Sequence, residues 1–382
     1  MLTFLICLLP NNILLYLWRM SRQILLFLLL SVPIFAQEKN PNRDFYEVFY
    51  GYGTLLRHNT NISHLVGAHP EIITLSFNRK TFGEKLWQRQ FNYPDWGVSF
   101  QYLDFRTEDL GRNYSALAFY NFYFLKRKLR LQFAQGISYN SNPFDLESNP
   151  KNIAYGNHLL SATTFALLYT QPKIFKDFGL NIGMSLVHQS NGSLKAPNTG
   201  TNVFVLTVGM SYDPSDTGKV EYIEIEDEKV KEPVRWNFAV RGGINSSDYF
   251  NLGQHPFLVL SGYADKRLSY LSTVQLGAEV FFAEYLREEI KYVSVAFPNR
   301  NIDPDTDYKR IGLFAGHEFR IGDLGIVTQL GYYVYYPYQN ESRLYSRVGG
   351  KYYFNKKWFG ALSIKSHGAN AEAIELGFGV RI

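Results

Sequence analysis

The chain has one cysteine in 382 residues, Cys7, and it lies in the first apolar segment. A mature chain trimmed of that segment carries no thiol. Disulfides, thiolate nucleophiles and cysteine-based metal sites are then excluded. Long apolar runs are also missing. Beyond the N-terminal region no stretch reaches the roughly 18 uninterrupted apolar residues that a membrane-spanning helix needs. Charge of one sign is scarce as well. The net charge of +5 falls to about +3 when Arg19 and Arg22 leave with a leader that holds no acid. That is too little to point to a nucleic-acid partner.

Aromatic residues, by contrast, are plentiful: 16% of the chain, with 28 Tyr and 30 Phe. Soluble domains have little use for so many tyrosines, whereas the interfacial girdles of outer-membrane barrels do. Near the N-terminus, Met20-Ser21-Arg22 precedes the apolar run Ile24–Leu30 and then Ser31 to Ala36. This reads as the basic, hydrophobic and small-residue regions of a signal peptide spanning 1–36. Its hydrophobic region is too short to span a bilayer as a helix. Met1–Arg19 is a second apolar run, broken at Pro10-Asn11-Asn12. Either Met20 is the true start and Met1–Arg19 an extension, or the signal sequence is unusually long. An exported chain with weak period-2 strands and no helical span crosses lipid only as a closed barrel. A soluble periplasmic β-sandwich is the alternative.

Turn-rich clusters punctuate the chain at short spacing, as in an up-and-down sheet. About eight strands are expected over 44–213, from Tyr46–Gly51 through Leu159–Tyr169 and Phe178–Ser190 to Thr201–Tyr212. Residues 214–233 are acidic and read as a solvated linker. About eight more strands are expected over 234–382, from Trp236–Arg241 to Trp358–Lys365 and Ala373–Ile382, with a short helix at Glu284–Ile290. The expected fold class is all-β: an antiparallel up-and-down transmembrane β-barrel of about eight strands, followed by a second similar barrel-like domain. A small barrel of eight strands has its interior filled by side chains, which argues against a pore. One barrel of about sixteen strands is the competitor, and the acidic linker favours two.

The segment Phe178 to Gly192 is the most informative. Phe178, Leu180, Ile182, Met184 and Leu186 are large and apolar; Gly179, Asn181, Gly183 and Ser185 are small or polar. Successive strand side chains point to opposite faces, so the even row faces lipid and the odd row mostly the lumen. His188 and Ser190 share the even parity and project outward, side by side, at the end of that row. A base two residues from a hydroxyl is the pair that activates a serine nucleophile. The bland reading is that both only meet water or headgroups. On the next strand Phe204, Leu206, Val208, Met210 and Tyr212 form the lipid row, and Asn202 shares their parity across the hairpin from His188. Asn202 is placed to accept from His188 Nδ1 and orient the ring. The connecting loop, Asn191 to Gly200, supplies amide side chains and glycine-flanked N–H groups as oxyanion donors.

His188-x-Ser190-Asn191-Gly192, then Pro197-Asn198 and the following strand, resemble the lipid A 3-O-deacylase (PagL-type) family. The resemblance covers roughly Phe45 to Asp213 in architecture and is specific over Val187 to Asn202. It implies an eight-stranded outer-membrane barrel with a serine hydrolase site on its outer wall. In that comparison Ser190 is the nucleophile, His188 the base, and Asn191, Gly192 or Asn198 supports the oxyanion. The implied substrate is the ester-linked acyl chain at position 3 of lipid A, so lipopolysaccharide and outer-membrane lipid are the expected partners. No metal or other cofactor is implied. The family's orienting acid is a Glu, and Asn202 stands at the matching position. An amide fixes the tautomer but does not stabilise imidazolium as a carboxylate does. Loss of the carboxylate in a serine triad costs about four orders of magnitude in rate. The alternative function is therefore a catalytically impaired structural or lipid-binding barrel.

The C-terminal barrel ends with a superficially similar segment, Trp358 to Glu375. His367 has the parity opposite to the lipid row, and Ala369 stands where a serine would be needed. His367, Lys365 and Glu375 are expected to be lumenal groups that satisfy one another. His58 and His64 flank a turn and read as loop residues rather than metal ligands. Asp303, Asp305 and Asp307 alternate as in a calcium loop. They lack the glycine at its sixth position and the flanking helices, and read as a solvated loop.

Overall fold

Alternation becomes strand in sixteen places. The computed structural model describes residues 43–58, 60–215, 232–249, 252–368 and 370–382. The expected signal peptide (1–36) and most of the acidic segment (214–233) lie outside the described residues. The first eight strands are β1 (Asp44–Leu55), β2 (Glu71–Arg79), β3 (Asp95–Asp104), β4 (Arg112–Phe124), β5 (Leu129–Asn140), β6 (Leu159–Phe175), β7 (Phe178–Ser190) and β8 (Thr201–Tyr212). The second eight are β9 (Arg235–Ser246), β10 (Gln254–Arg267), β11 (Ser272–Ala283), β12 (Arg310–Ile321), β13 (Leu324–Tyr335), β14 (Leu344–Tyr353), β15 (Trp358–His367) and β16 (Asn370–Arg381).

Each set closes on itself in antiparallel order. β1 pairs with β8 from Tyr46↔Tyr212 to Leu55↔Val203. β16 pairs with β9 from Leu376↔Gly242 to Arg381↔Asn237. The sixteen-strand alternative is thereby overturned: there are two barrels, and neither leaves a sheet edge open.

The period-2 pattern sorts the faces. Tyr46, Val48, Tyr50 and Tyr52 on β1, and Ile182, Met184 and Leu186 on β7, are exposed on the outside. The inside is polar and filled. In the first barrel Glu47 accepts from Arg130 Nη1 at 2.8 Å, Asn181 Nδ2 at 3.0 Å and Asn78 Nδ2 at 3.1 Å. In the second, Arg347 joins Glu279 (Nη1 to Oε1, 2.7 Å) to Glu375 (Nε to Oε2, 2.5 Å), and Lys351 Nζ reaches Glu318 at 3.2 Å. Buried charges persist only when paired and hydrogen-bonded in this way.

Connections differ at the two ends. β4–β5 and β6–β7 turn tightly, whereas β1–β2, β5–β6 and β7–β8 are joined by longer loops at the opposite end. The same end of the second barrel carries the β11–β12 excursion with a helix at Glu284–Ala296, and the β13–β14 loop. That helix runs a further six residues beyond Ile290 because Val293 is also buried against the barrel. A second, shorter helix, Leu86–Gln90, sits between β2 and β3.

Residues 42–382 form one compact unit, and the barrels touch at both ends. At the tight-turn end Phe91 meets Phe319 edge-on at 5.3 Å. Gly322 lies there at φ +64°, and a Cβ on it would come within 2.8 Å of Trp87. At the long-loop end Gly192 packs on Ile374, where a Cβ would sit 2.4 Å from Cγ1.

Candidate functional site

Parity on β7 is fixed by Gln189. Its amide is buried in the first lumen and donates to Ser115 Oγ at 3.0 Å. His188 and Ser190, one residue to either side, therefore point outward. β7 and β8 pair His188 directly with Asn202, and Asn202 Oδ1 lies 2.8 Å from His188 Nδ1. Among the described residues no carboxylate is hydrogen-bonded to His188. The amide is thus the ring's side-chain partner among the described residues. A ring donating from Nδ1 leaves Nε2 free to accept a proton.

Outward does not mean lipid-exposed here. Ser190 is only 6% accessible, unlike the apolar row below it. The cover is the 191–200 loop together with the second barrel. Asn191 N–H donates to Asn198 Oδ1 at 2.8 Å, and Asn191 Nδ2 donates to the Lys195 carbonyl at 2.6 Å. Both asparagines expected to support an oxyanion therefore tie the loop to itself. Gly192 makes the turn at φ +59°. Nothing accepts from its N–H among the described residues. Gly200, at φ +65°, is wedged beside the pair: a Cβ there would lie 3.1 Å from Ser190 Cβ and 3.6 Å from His188 Cε1. No group is hydrogen-bonded to Ser190 Oγ among the described residues; in unliganded sites such contacts often form only with substrate.

The loop is docked on the second barrel by several bonds. Ser193 Oγ donates to the Ala371 carbonyl. Ser246 N–H donates to the Ser193 carbonyl at 3.1 Å, and Ala196 N–H to Ser246 Oγ at 3.1 Å. His58 lies beside the loop's other end, with Nε2 3.0 Å from the Thr199 carbonyl, and His64 Nε2 is 2.8 Å from the Lys151 carbonyl.

His188, Ser190 and Asn202 open onto a cleft of about 1170 Å³ whose opposite wall belongs to the second barrel. That wall includes Glu289, Arg300, Tyr338, Glu341, His367 and Glu372. Glu289 Oε2 accepts from Ser247 Oγ at 2.5 Å, and its Oε1 from Tyr338 OH at 2.9 Å. Burial pushes the Glu289 and Glu341 carboxyls above their usual range. Single-strand periodicity carried no signal for this wall, since its residues come from loops distant in the chain.

The expected cluster of His367, Lys365 and Glu375 is corrected. Glu375 bonds Arg347 and Ser363 instead. The hub is Glu372, which accepts from Arg310 and Lys365 and lies 2.7 Å from His367 Nε2. The cause is a β-bulge. Lys365 pairs with Ala373 and Ser366 with Ala371, so Glu372 is the extra residue of β16. A bulge re-aims a side chain that simple alternation would send outward.

A family model described as lipid A 3-O-deacylase (PagL) matches residues 71–211. A second, described as acyloxyacyl hydrolase, C-terminal domain, matches residues 234–382. A search of curated proteins finds no match. Among solved structures, a mutant of Rh. blastica porin is 9% identical at a TM-score of 0.20, covering 89% of this chain and 99% of that chain. CdiB from Acinetobacter baumannii is 8% identical at a TM-score of 0.18, covering 89% and 60%. Likeness at those scores carries no weight. The family models do: one falls on each barrel, together they take in most of the chain, and the chain belongs to the lipid A 3-O-deacylase (PagL-type) and acyloxyacyl hydrolase family.

Proposed function

We propose that this protein is an outer-membrane serine esterase that removes the ester-linked 3-O acyl chain from lipid A. In this reading 1–36 is a signal peptide, 44–213 the catalytic barrel, 214–233 a linker and 234–382 the second barrel domain. One observation carries it: Ser190 and His188 share an outward face that opens on a cleft, with His188 Nδ1 held by Asn202 at 2.8 Å.

Ser190 Oγ attacks the acyl carbonyl carbon while His188 Nε2 takes the hydroxyl proton. The oxyanion meets a 191–200 backbone N–H that has no partner among the described residues, a set that includes Gly192, Ser193 and Asn198. Collapse breaks the bond to the sugar oxygen, which receives the proton from His188. Water then attacks the acyl-enzyme, His188 again moving the proton, and the fatty acid leaves. Asn202 fixes the tautomer throughout. The site lies at the long-loop end, which in outer-membrane barrels faces outside, the side where lipid A resides.

The competing reading is a lipid-binding barrel with little activity, favoured by Asn202 at the family's Glu position. Purified protein incubated with lipid A separates the two. Fatty-acid release, and an acyl adduct mapped to Ser190, are expected. Release unchanged in Ser190→Ala would remove the esterase reading.

A further inference from the structure

The esterase reading leaves the second barrel without a task, yet that barrel builds half of the cleft. Arg300 follows the Glu284–Ala296 helix and lines the same cleft as Ser190. Among the described residues it is the one lysine or arginine on the lining. Among the described residues no carboxylate lies within ion-pair distance of it. Its guanidinium is positioned rather than neutralised: Nη1 donates to Tyr249 OH at 3.2 Å, and Cζ lies 4.8 Å from the centre of the Phe297 ring.

Two cations behind the same wall are already committed. Arg310 and Lys365 both serve Glu372. The carboxyl groups facing Arg300 oppose an anion less than their number suggests. Glu289 is held between two hydroxyl donors. Burial favours the neutral forms of Asp248, Glu289 and Glu341, and Glu372 is paired with Arg310 and Lys365. Docking of the 191–200 loop through Ser193, Ala196 and Ser246 places Ser190 and the Arg300 wall in one frame. A rigid frame of that kind turns a remote contact into a positioning device.

We propose that Arg300 binds a phosphate on the sugar head of the acylated substrate, making the second barrel's loop end the specificity-determining wall of the Ser190 site. A planar guanidinium with free N–H groups is suited to paired hydrogen bonds with phosphate oxygens. Gln339 on the same wall offers an amide to the sugar. The inference rests on the esterase reading for the identity of the ligand, and binding tests it separately from turnover.

The full-length Ser190→Ala protein in detergent micelles is titrated with bisphosphorylated lipid A and with the same lipid dephosphorylated. The phosphorylated form is expected to bind about tenfold or more tightly, the range of a charge-assisted contact. Arg300→Ala in that background is expected to bring the ratio to about one, and Arg300→Lys to restore part of it. In the Ser190-intact protein, Arg300→Ala is expected to raise KM for the phosphorylated lipid more than it lowers kcat. A ratio near one in the parent, or a ratio unchanged by Arg300→Ala, would overturn the proposal. So would phosphatidylglycerol vesicles competing as well as phosphorylated lipid A, which would mean general phosphate binding. A protein that does not turn over lipid A but shows the Arg300-dependent ratio would count against the esterase reading and for this one.

Discussion

Replacing Asn202 examines the proposed triad most closely. His188 Nδ1 and Asn202 Oδ1 are 2.8 Å apart across a directly paired position of β7 and β8. Asn202→Asp keeps the length of the side chain and adds a charge. In a serine triad, exchanging carboxylate for amide costs about 10⁴ in rate, which sets the ceiling for the reverse change. Part of that gain is offset by desolvating a carboxylate in a half-buried position, so an increase of roughly 10- to 1000-fold in kcat is expected. Asn202→Ala removes one hydrogen bond of net worth about 0.5–1.5 kcal/mol, a loss of roughly 2- to 13-fold. Asn202→Glu, matching the family residue, should fall on the same side as Asp. The assay is initial-rate fatty-acid release from lipid A in micelles. An order of Asp above Asn above Ala supports His188 as the base. If Asp is no faster than Asn and Ala is unchanged, the contact has no part in catalysis and the triad reading fails.

Three further outcomes follow from the local geometry. Gly200→Ala puts a Cβ at φ +65°, 3.0 Å from the Gln189 carbonyl and 3.1 Å from Ser190 Cβ; a strain of ~1–3 kcal/mol should depress activity while the heat-modifiable gel shift of the folded barrel is kept. Gly192→Ala drives a Cβ to 2.4 Å from Ile374 Cγ1, so it should lower activity, and Ile374→Ala should restore part of it if the barrel interface holds the loop. Glu47→Ala strands the buried Arg130 guanidinium in the first lumen and should cost about 3–5 kcal/mol, read as a lower urea midpoint in a folding titration; an unchanged midpoint would mean that water replaces the pair.

Much of this molecule is written in period 2. β7 and β8 are bounded as expected, Phe178–Ser190 and Thr201–Tyr212, because their faces differ so sharply in polarity. The same alternation sets His188 against Asn202, since register follows from which row must face outward. Two things escaped it. The cover over Ser190 comes from contacts such as Ser193 with Ala371 and Gly192 with Ile374, whose partners lie in the other barrel. No local pattern encodes a pairing across that distance. The Glu372 hub was hidden by a single extra residue, since alternation past a bulge misassigns the face. The helix Glu284–Ala296 was visible only in its first half, because its later turns are held by tertiary burial of Val293 rather than by a strong stripe.

In the proposed mechanism Ser190 deacylates lipid A. Mass spectrometry of lipid A from cells expressing the full chain, alongside cells expressing Ser190→Ala at equal folded level, tests it directly. A lipid A species lighter by one ester-linked acyl chain is expected in the first culture and not in the second. Identical lipid A in both cultures would contradict it.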